Sequence, residues 1–429
     1  MTLNRTIPPQ LRSMGDVNIV HPERLKMKNG MTLNVIRSGS QEVVRLDILI
    51  GAGQWHQTQP LQALFTNRML REGTLSMTST QIAEKLDYYG AWLELSSSIN
   101  CGFITLYSLS KYFSRTLAIV ADMVMNPIFP EKEMEVVVET NRQQFLVNSN
   151  RVEVLARKQL HRSLFGEKHP FGRFAQEADY NCITSDILRS FYKKYYHSNN
   201  CSVFVSGKVT PEIIRCIEAN LGDVPWGEIH TIPSLQLQKP QPIKEKRVFV
   251  EKTDALQSSL KMGGFMMDRT HPHFLKARVM ITLFGGYFGS RLMSNIREDK
   301  GYTYSIGSGI VNCPGSGALV ITTEADNRYI DAIIAEVYHE MDCLCNDLAP
   351  KEELEMVRSY MLGEFCRSYE SPFSLSDAWI YTETAGLNDD FFVRSIEAIR
   401  SVTAEEIRCL AQTYLCKEKL IEVVAGKKV

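Results

Sequence analysis

PEKEMEVVVETNRQQF (130–145) and PKEELEMVRSYMLGEF (350–365) read as two versions of one helix start. Pro130 pairs with Pro350 and Phe145 with Phe365, an offset of 350 − 130 = 220. Each stretch opens with Pro and acidic residues and then runs into a helical pattern, the order expected at a helix N-terminus. A second pair follows in the same order. ITSDILRSFYKKYYHSNNCSVFVSGKV (183–209) matches VTAEEIRCLAQTYLCKEKLIEVVAGKKV (402–429), with Thr184 on Thr403 and Gly207 on Gly426, each 219 apart. Thr followed by acidic residues caps a helix, and a β-branched strand precedes each Gly. Two matches at nearly one offset make duplication the better reading.

Working outward, the duplication divides the 429 residues into 1–225 and 248–429, joined by WGEIHTIPSLQLQKPQPIKEKR (226–247). That segment holds Pro233, Pro240 and Pro242 and little apolar periodicity, the composition of a linker. Within the halves, VVRLDILIGAG (43–53), GFITLYSL (102–109) and GALVITTEA (317–325) read as strands. SRTLAIVADMVMNPIF (114–129) and NRYIDAIIAEVYHEMDCL (327–344) read as helices. Strands first and helices afterwards predicts an α+β fold: two homologous domains, each a mostly antiparallel sheet covered by helices.

Bulk composition excludes several classes. Apolar residues make up 44%, charged residues 23%, and formal net charge is −1. Such a balance gives no electrostatic case for nucleic acid or an anionic membrane. The first 30 residues show no basic n-region followed by an apolar h-region, and no apolar run is long enough to span a bilayer. The ten Cys are scattered without a C-x-x-C, so reduced thiols in a cytoplasmic protein are expected.

PLQALFTNRMLREGT (60–74) has Leu61, Leu64, Phe65 and Met69 at helical spacing, with Gly-Thr as a stop. On periodicity alone it is a core helix.

The repeat, LIGAG, MLREGT, KHPFGR (168–173) and above all FGGYFGSRLMSNIREDKGYTYSIGSG (284–309) give the chain a resemblance to the pitrilysin/insulinase-like metallopeptidases. That group includes the mitochondrial processing peptidases and bacterial paired-subunit peptidases, and the resemblance covers essentially the whole chain. It implies two domains facing each other across a peptide chamber. It also implies an inverted zinc motif, H-x-x-E-H, on the helix before Gly-Thr, two His binding Zn²⁺ and the Glu activating water. Anchored on Met69, Leu70, Gly73 and Thr74, those positions fall on Leu64, Asn67 and Arg68. Leu cannot coordinate, Asn is a poor base, and a permanently cationic Arg repels a metal. The family's third ligand aligns with Leu146, with Glu139 at the acidic position seven residues earlier. No His occurs between His56 and His161, so no shift of register restores the pair. No metal is expected in this chain.

The second half keeps what the first lacks. IREDKGYTYS (296–305) carries Arg297 and Tyr304. The resemblance implies that an Arg and a Tyr at this spacing hold the substrate backbone and the oxyanion of amide hydrolysis. Gly285, Gly286 and Gly289 lack the strand and Lys-Ser/Thr context of a phosphate loop. They suit a tight turn, and the resemblance adds that this loop lines the peptide chamber; both readings stay open. His271 with His273, and His161 with His169, lack a third ligand at suitable spacing and read as structural or surface histidines.

The expectation is therefore a zinc-less subunit of a heterodimeric metallopeptidase. A homologous H-x-x-E-H subunit supplies the zinc, and Arg297 and Tyr304 act in trans on a peptide. A catalytically silent scaffold or peptide-binding protein is the alternative, and a homodimer is open when the partner is missing. An independent hydrolase with an unrecognised ligand set is the least favoured reading.

Overall fold

The computed structural model describes residues 15, 19–231 and 239–428. Pro233, one of the three linker prolines, lies outside the described residues. The first sheet contains β1 (Glu23–Lys26), β2 (Thr32–Arg37), β3 (Val43–Ile50), β4 (Trp92–Ser97), β5 (Gly102–Leu109) and β6 (Cys201–Gly207), in the order β1-β2-β6-β3-β5-β4. The second contains β7 (Arg247–Glu251), β8 (Ser258–Met266), β9 (Thr303–Cys313), β10 (Ser316–Ala325) and β11 (Ile421–Gly426), in the order β7-β11-β8-β10-β9. Apart from β1, the two orders superimpose strand for strand. In each sheet the last strand enters next to the first in parallel, β2 with β6 and β7 with β11, and every other pairing is antiparallel. The fold is α+β, with two mostly antiparallel sheets.

One expectation needs correction. Strands do not simply precede helices, because the helices Gln62–Met69 and Ser79–Tyr88 stand between β3 and β4, and the final strand of each half follows all of its helices. A strand added last can enter mid-sheet only because the long helical stretch returns the chain to the starting edge.

The two halves interlock. Period-2 alternation gives each sheet two faces, and here both faces are apolar. In the first sheet Val35, Ile48 and Val203 point to that half's own helices, whereas Ile36, Leu49 and Phe204 join the second half's core beside Leu375 and Trp379. Those last two residues belong to the helix Pro372–Thr384, which comes from the second half and lies against β6 and β2. The exchange is reciprocal. The helix Val152–Phe165, from the first half, covers β8 and β11, burying Ala156, Leu160 and Leu164 against Ile421, Val423 and Ala425. Each sheet is therefore covered on one face by a helix of the other half. VVRLDILI is consequently buried along nearly its whole length. Its two polar positions sit under the foreign helix, where Arg45 reaches Asp377 at 2.6 Å and the carbonyl of Phe373 at 3.2 Å and also pairs with Asp47.

The connecting segment docks as well. Trp226 is buried in the first core, and the amides of Gln241 and Ile243 donate to the carbonyls of Phe165 and Ser163 at 3.2 and 2.9 Å. The strand and helix expectations at 43–53, 102–109, 114–129, 317–325 and 327–344 correspond to β3, β5, Phe113–Met125, β10 and Ile330–Asn346.

Candidate functional site

The helix expected from PLQALFTNRMLREGT spans Gln62–Met69. Leu61 precedes it with a φ of 71°, a left-handed conformation unusual for a branched residue. Its buried set differs from the expected face. Ala63, Phe65, Thr66, Asn67 and Met69 are buried, whereas Leu64 and Arg68, one turn apart, are only half-buried. The reason is that β4, β5 and the helices Glu131–Ser149 and Ser185–Tyr195 surround the element on most sides. A helix enclosed this way buries positions that no single apolar stripe marks.

Two of the motif positions, Asn67 and Arg68, are tied down by contacts other than metal. Asn67 Nδ2 donates to the Tyr196 hydroxyl at 3.3 Å, and both residues are completely buried. The Arg68 guanidinium donates to Asn141 Oδ1 on the helix Glu131–Ser149. Burial lowers the Arg68 pKa below its ordinary value, while the nearby Tyr180 hydroxyl opposes that shift. The helix contact falls on Asn141, not on Leu146. Leu146 is half-buried, and its carbonyl accepts from the Ser149 hydroxyl at 3.0 Å. Glu139 is exposed and held by Arg142 at 2.9 Å and Gln143 at 2.6 Å. A hydrocarbon, two amides and a guanidinium do not form a zinc donor set, so the zinc implied by the family does not fit here. Among the described residues no group of three or more His, Cys, Asp or Glu is placed to hold a metal.

The second half gathers the Arg/Tyr block. Arg297 lies on a short π-helical segment, Met293–Asp299, and Tyr304 follows the first residue of β9. The turn between them brings the guanidinium 5.0 Å from the Tyr304 ring centroid. On its other partner, the same guanidinium lies 4.5 Å from the ring of Phe288. Arg297 is thus stacked with two aromatic rings, Phe288 60% and Tyr304 84% exposed. Phe288 was not singled out from sequence, although an aromatic inside a glycine loop is a usable signal.

The three glycines behave differently. A Cβ on Gly285 would stand 2.6 Å from Ser308 Oγ and 2.8 Å from Leu292 Cδ1, so close packing against β9 requires glycine there. Gly286 lines a cavity of about 790 Å³, and Gly289 sits against the Tyr287 ring. Arg297 and Tyr304 do not line that cavity, and their recorded ring partners all lie in the second half.

The histidine pairs have ordinary partners. His271 and His273 are exposed with ring centroids 5.0 Å apart, and His273 Nδ1 lies 3.0 Å from the Tyr414 hydroxyl. His161 Nδ1 lies 3.1 Å from the Phe171 carbonyl, and His169 stacks on Phe165 at 5.1 Å within an aromatic cluster.

Comparison with known proteins identifies the family and the fold. Residues 34–173 match the family model described as Insulinase (Peptidase family M16), and residues 183–361 match that described as Peptidase M16 inactive domain. The chain belongs to the M16 peptidase family. Among its relatives is the uncharacterized zinc protease YmxG of Bacillus subtilis (strain 168), 23% identical over 353 residues, 81% of this chain and 85% of that protein. Another, called a non-peptidase homolog YmxG, from Helicobacter pylori (strain ATCC 700392 / 26695), is 24% identical over 56% of this chain and 55% of its own length. The solved structure of a peptidase M16 inactive domain from Pseudomonas fluorescens shares the fold with a TM-score of 0.83 at 22% identity. It covers 96% of this chain and 99% of that one.

Proposed function

We propose that this chain is the zinc-less subunit of a two-chain M16 peptidase. In this reading a homologous H-x-x-E-H subunit hydrolyses the peptide, and Arg297 and Tyr304 reach its site in trans. One observation carries the reading: the half-buried Arg297 stands beside the exposed Tyr304, while the helix Gln62–Met69 offers no metal ligand. In hydrolysis a guanidinium and a phenol would donate hydrogen bonds to the substrate backbone and to the oxyanion that forms on the scissile carbonyl.

The test begins with a tagged pull-down from the native cell. Recovery of a similar-sized chain bearing H-x-x-E-H supports the assignment. In the reconstituted complex Arg297→Ala and Tyr304→Phe should each lower turnover by about 10²-fold, the typical cost of one oxyanion donor, without loss of assembly. Wild-type turnover in both variants overturns it.

A second reading, a catalytically silent peptide-binding or scaffold protein, is favoured by the conversion of the motif positions into structural ties, Asn67 to Tyr196 and Arg68 to Asn141. A scaffold is indifferent to both substitutions.

A further inference from the structure

A groove starts within the second half and runs to the seam with the first, away from the Arg297–Tyr304 stack. One part is the cavity of about 790 Å³ that Gly286 lines; the other, of about 700 Å³, lies between the β4–β5 turn at Asn100 and the β9–β10 turn at Gly315. Arg269, Asn312 and Tyr381 line both, so the two parts are continuous. Their size suits a few residues of peptide.

The larger part holds two guanidinium groups, Arg269 and Arg278, and among the described residues neither has a carboxylate partner. Arg269 lies 4.6 Å from the Tyr381 ring centroid. Stacking occupies the guanidinium's face and leaves its N–H edge available, the edge that matches a carboxylate in a bidentate pair. Of the two carboxylates on the groove's walls, Asp377 is engaged by Arg45 at 2.6 Å, and Asp268, in the smaller part, accepts from the Thr270 amide and hydroxyl at 2.9 and 2.6 Å. Phe274, Phe391 and Phe392 supply an apolar wall beside these cations.

We infer that this groove takes the C-terminal carboxylate of a peptide, held by Arg269 and Arg278, with an apolar terminal side chain against the phenylalanines. The inference rests on the reading of the chain as a peptide-handling protein, but it needs no turnover and no partner.

The test uses the purified full-length chain and two fluorescein-labelled hexapeptides, one ending in a free phenylalanine carboxylate and the other in phenylalanine amide. Binding is followed by anisotropy at fixed salt. The free acid should bind at least about tenfold more tightly, the scale of one lost charge-assisted pair. Arg278→Ala and Arg269→Ala should each shrink that preference to about twofold or less. Arg278→Lys, which keeps the charge but not the fork, should give an intermediate value and shows that loss in the alanine variant is not unfolding. Equal binding of acid and amide overturns the proposal, as does a preference that survives both alanine substitutions. Displacement of the peptide by succinate at concentrations comparable to the peptide's own Kd assigns the cavity to a small free carboxylate and overturns the peptide source. Because no hydrolysis is read, failure of the split-site assignment leaves these outcomes distinguishable.

Discussion

At the scale of single residues, the lost zinc site is not a site waiting for its ligands. Asn67 is completely buried against Tyr196, and its Nδ2 already limits the space beside Gly102 to 3.0 Å. Combining Leu64→His, Asn67→Glu and Arg68→His writes the inverted motif back into the helix. It also places an uncompensated carboxylate in a packed pocket and removes the Arg68 tie to Asn141. Burying an unpaired charge is among the few changes with large cost. The triple variant should remain zinc-free by metal analysis of the purified protein and melt well below wild type. Stoichiometric zinc with an unchanged Tm would show that the helix still fits the metal. That the residues at the positions implied by the resemblance cannot hold zinc was legible, because ligand chemistry is a property of residue type. Their surroundings were not, since Asn141 comes from a helix far along the chain and carries no local mark that it faces Arg68.

At the scale of elements, the exchanged helices decide stability. Leu160 is fully buried, and a Cβ on Gly263 of β8 would lie 3.1 Å from its Cδ2, so the helix Val152–Phe165 sits close on the second sheet. Leu160→Ala should cost about 2–5 kcal/mol. Because the contact joins the halves, denaturant unfolding should remain one transition, coincident for Trp226 in the first core and Trp379 in the exchanged helix. A variant in which the two tryptophans report separate midpoints would show that the halves are independent. The repeat made the two-sheet plan readable, and β3, β5, β6, β10 and β11 fell where strands were expected, whereas the other six described strands were not placed. The exchange was hidden, because a helix that covers its own sheet and one that covers its neighbour's carry the same apolar pattern. The clue lay in VVRLDILI, whose Arg45 and Asp47, polar positions on an otherwise apolar strand, are buried under Pro372–Thr384. A strand covered on both faces does not need strict alternation.

For the whole molecule, pH stability follows from histidines that burial disfavours in charged form. His56, His161 and His197 all have pKa values lowered from the ordinary 6.5, with desolvation as the leading cause. The unfolded chain therefore binds more protons than the folded one as pH falls below about 6.5, and stability declines in that direction. Each such group adds up to about 1.4 kcal/mol per pH unit to the slope. Melting temperature should fall between pH 7 and pH 5, and His161→Gln should flatten part of that fall. A Tm independent of pH across this window would mean that these imidazoles titrate normally.

The reciprocal helix exchange has a mechanical corollary. Two lobes joined by a tether can swing like a book, whereas two lobes that each hold a piece of the other behave as one plate. Opening this chain along its internal seam would strip Ile36, Leu49 and Phe204 from Trp379 and, in the same movement, Leu160 from Val423. If the chain pairs with a second subunit as proposed, a peptide longer than the groove would enter where this plate meets that subunit, and the gate would belong to the junction between chains.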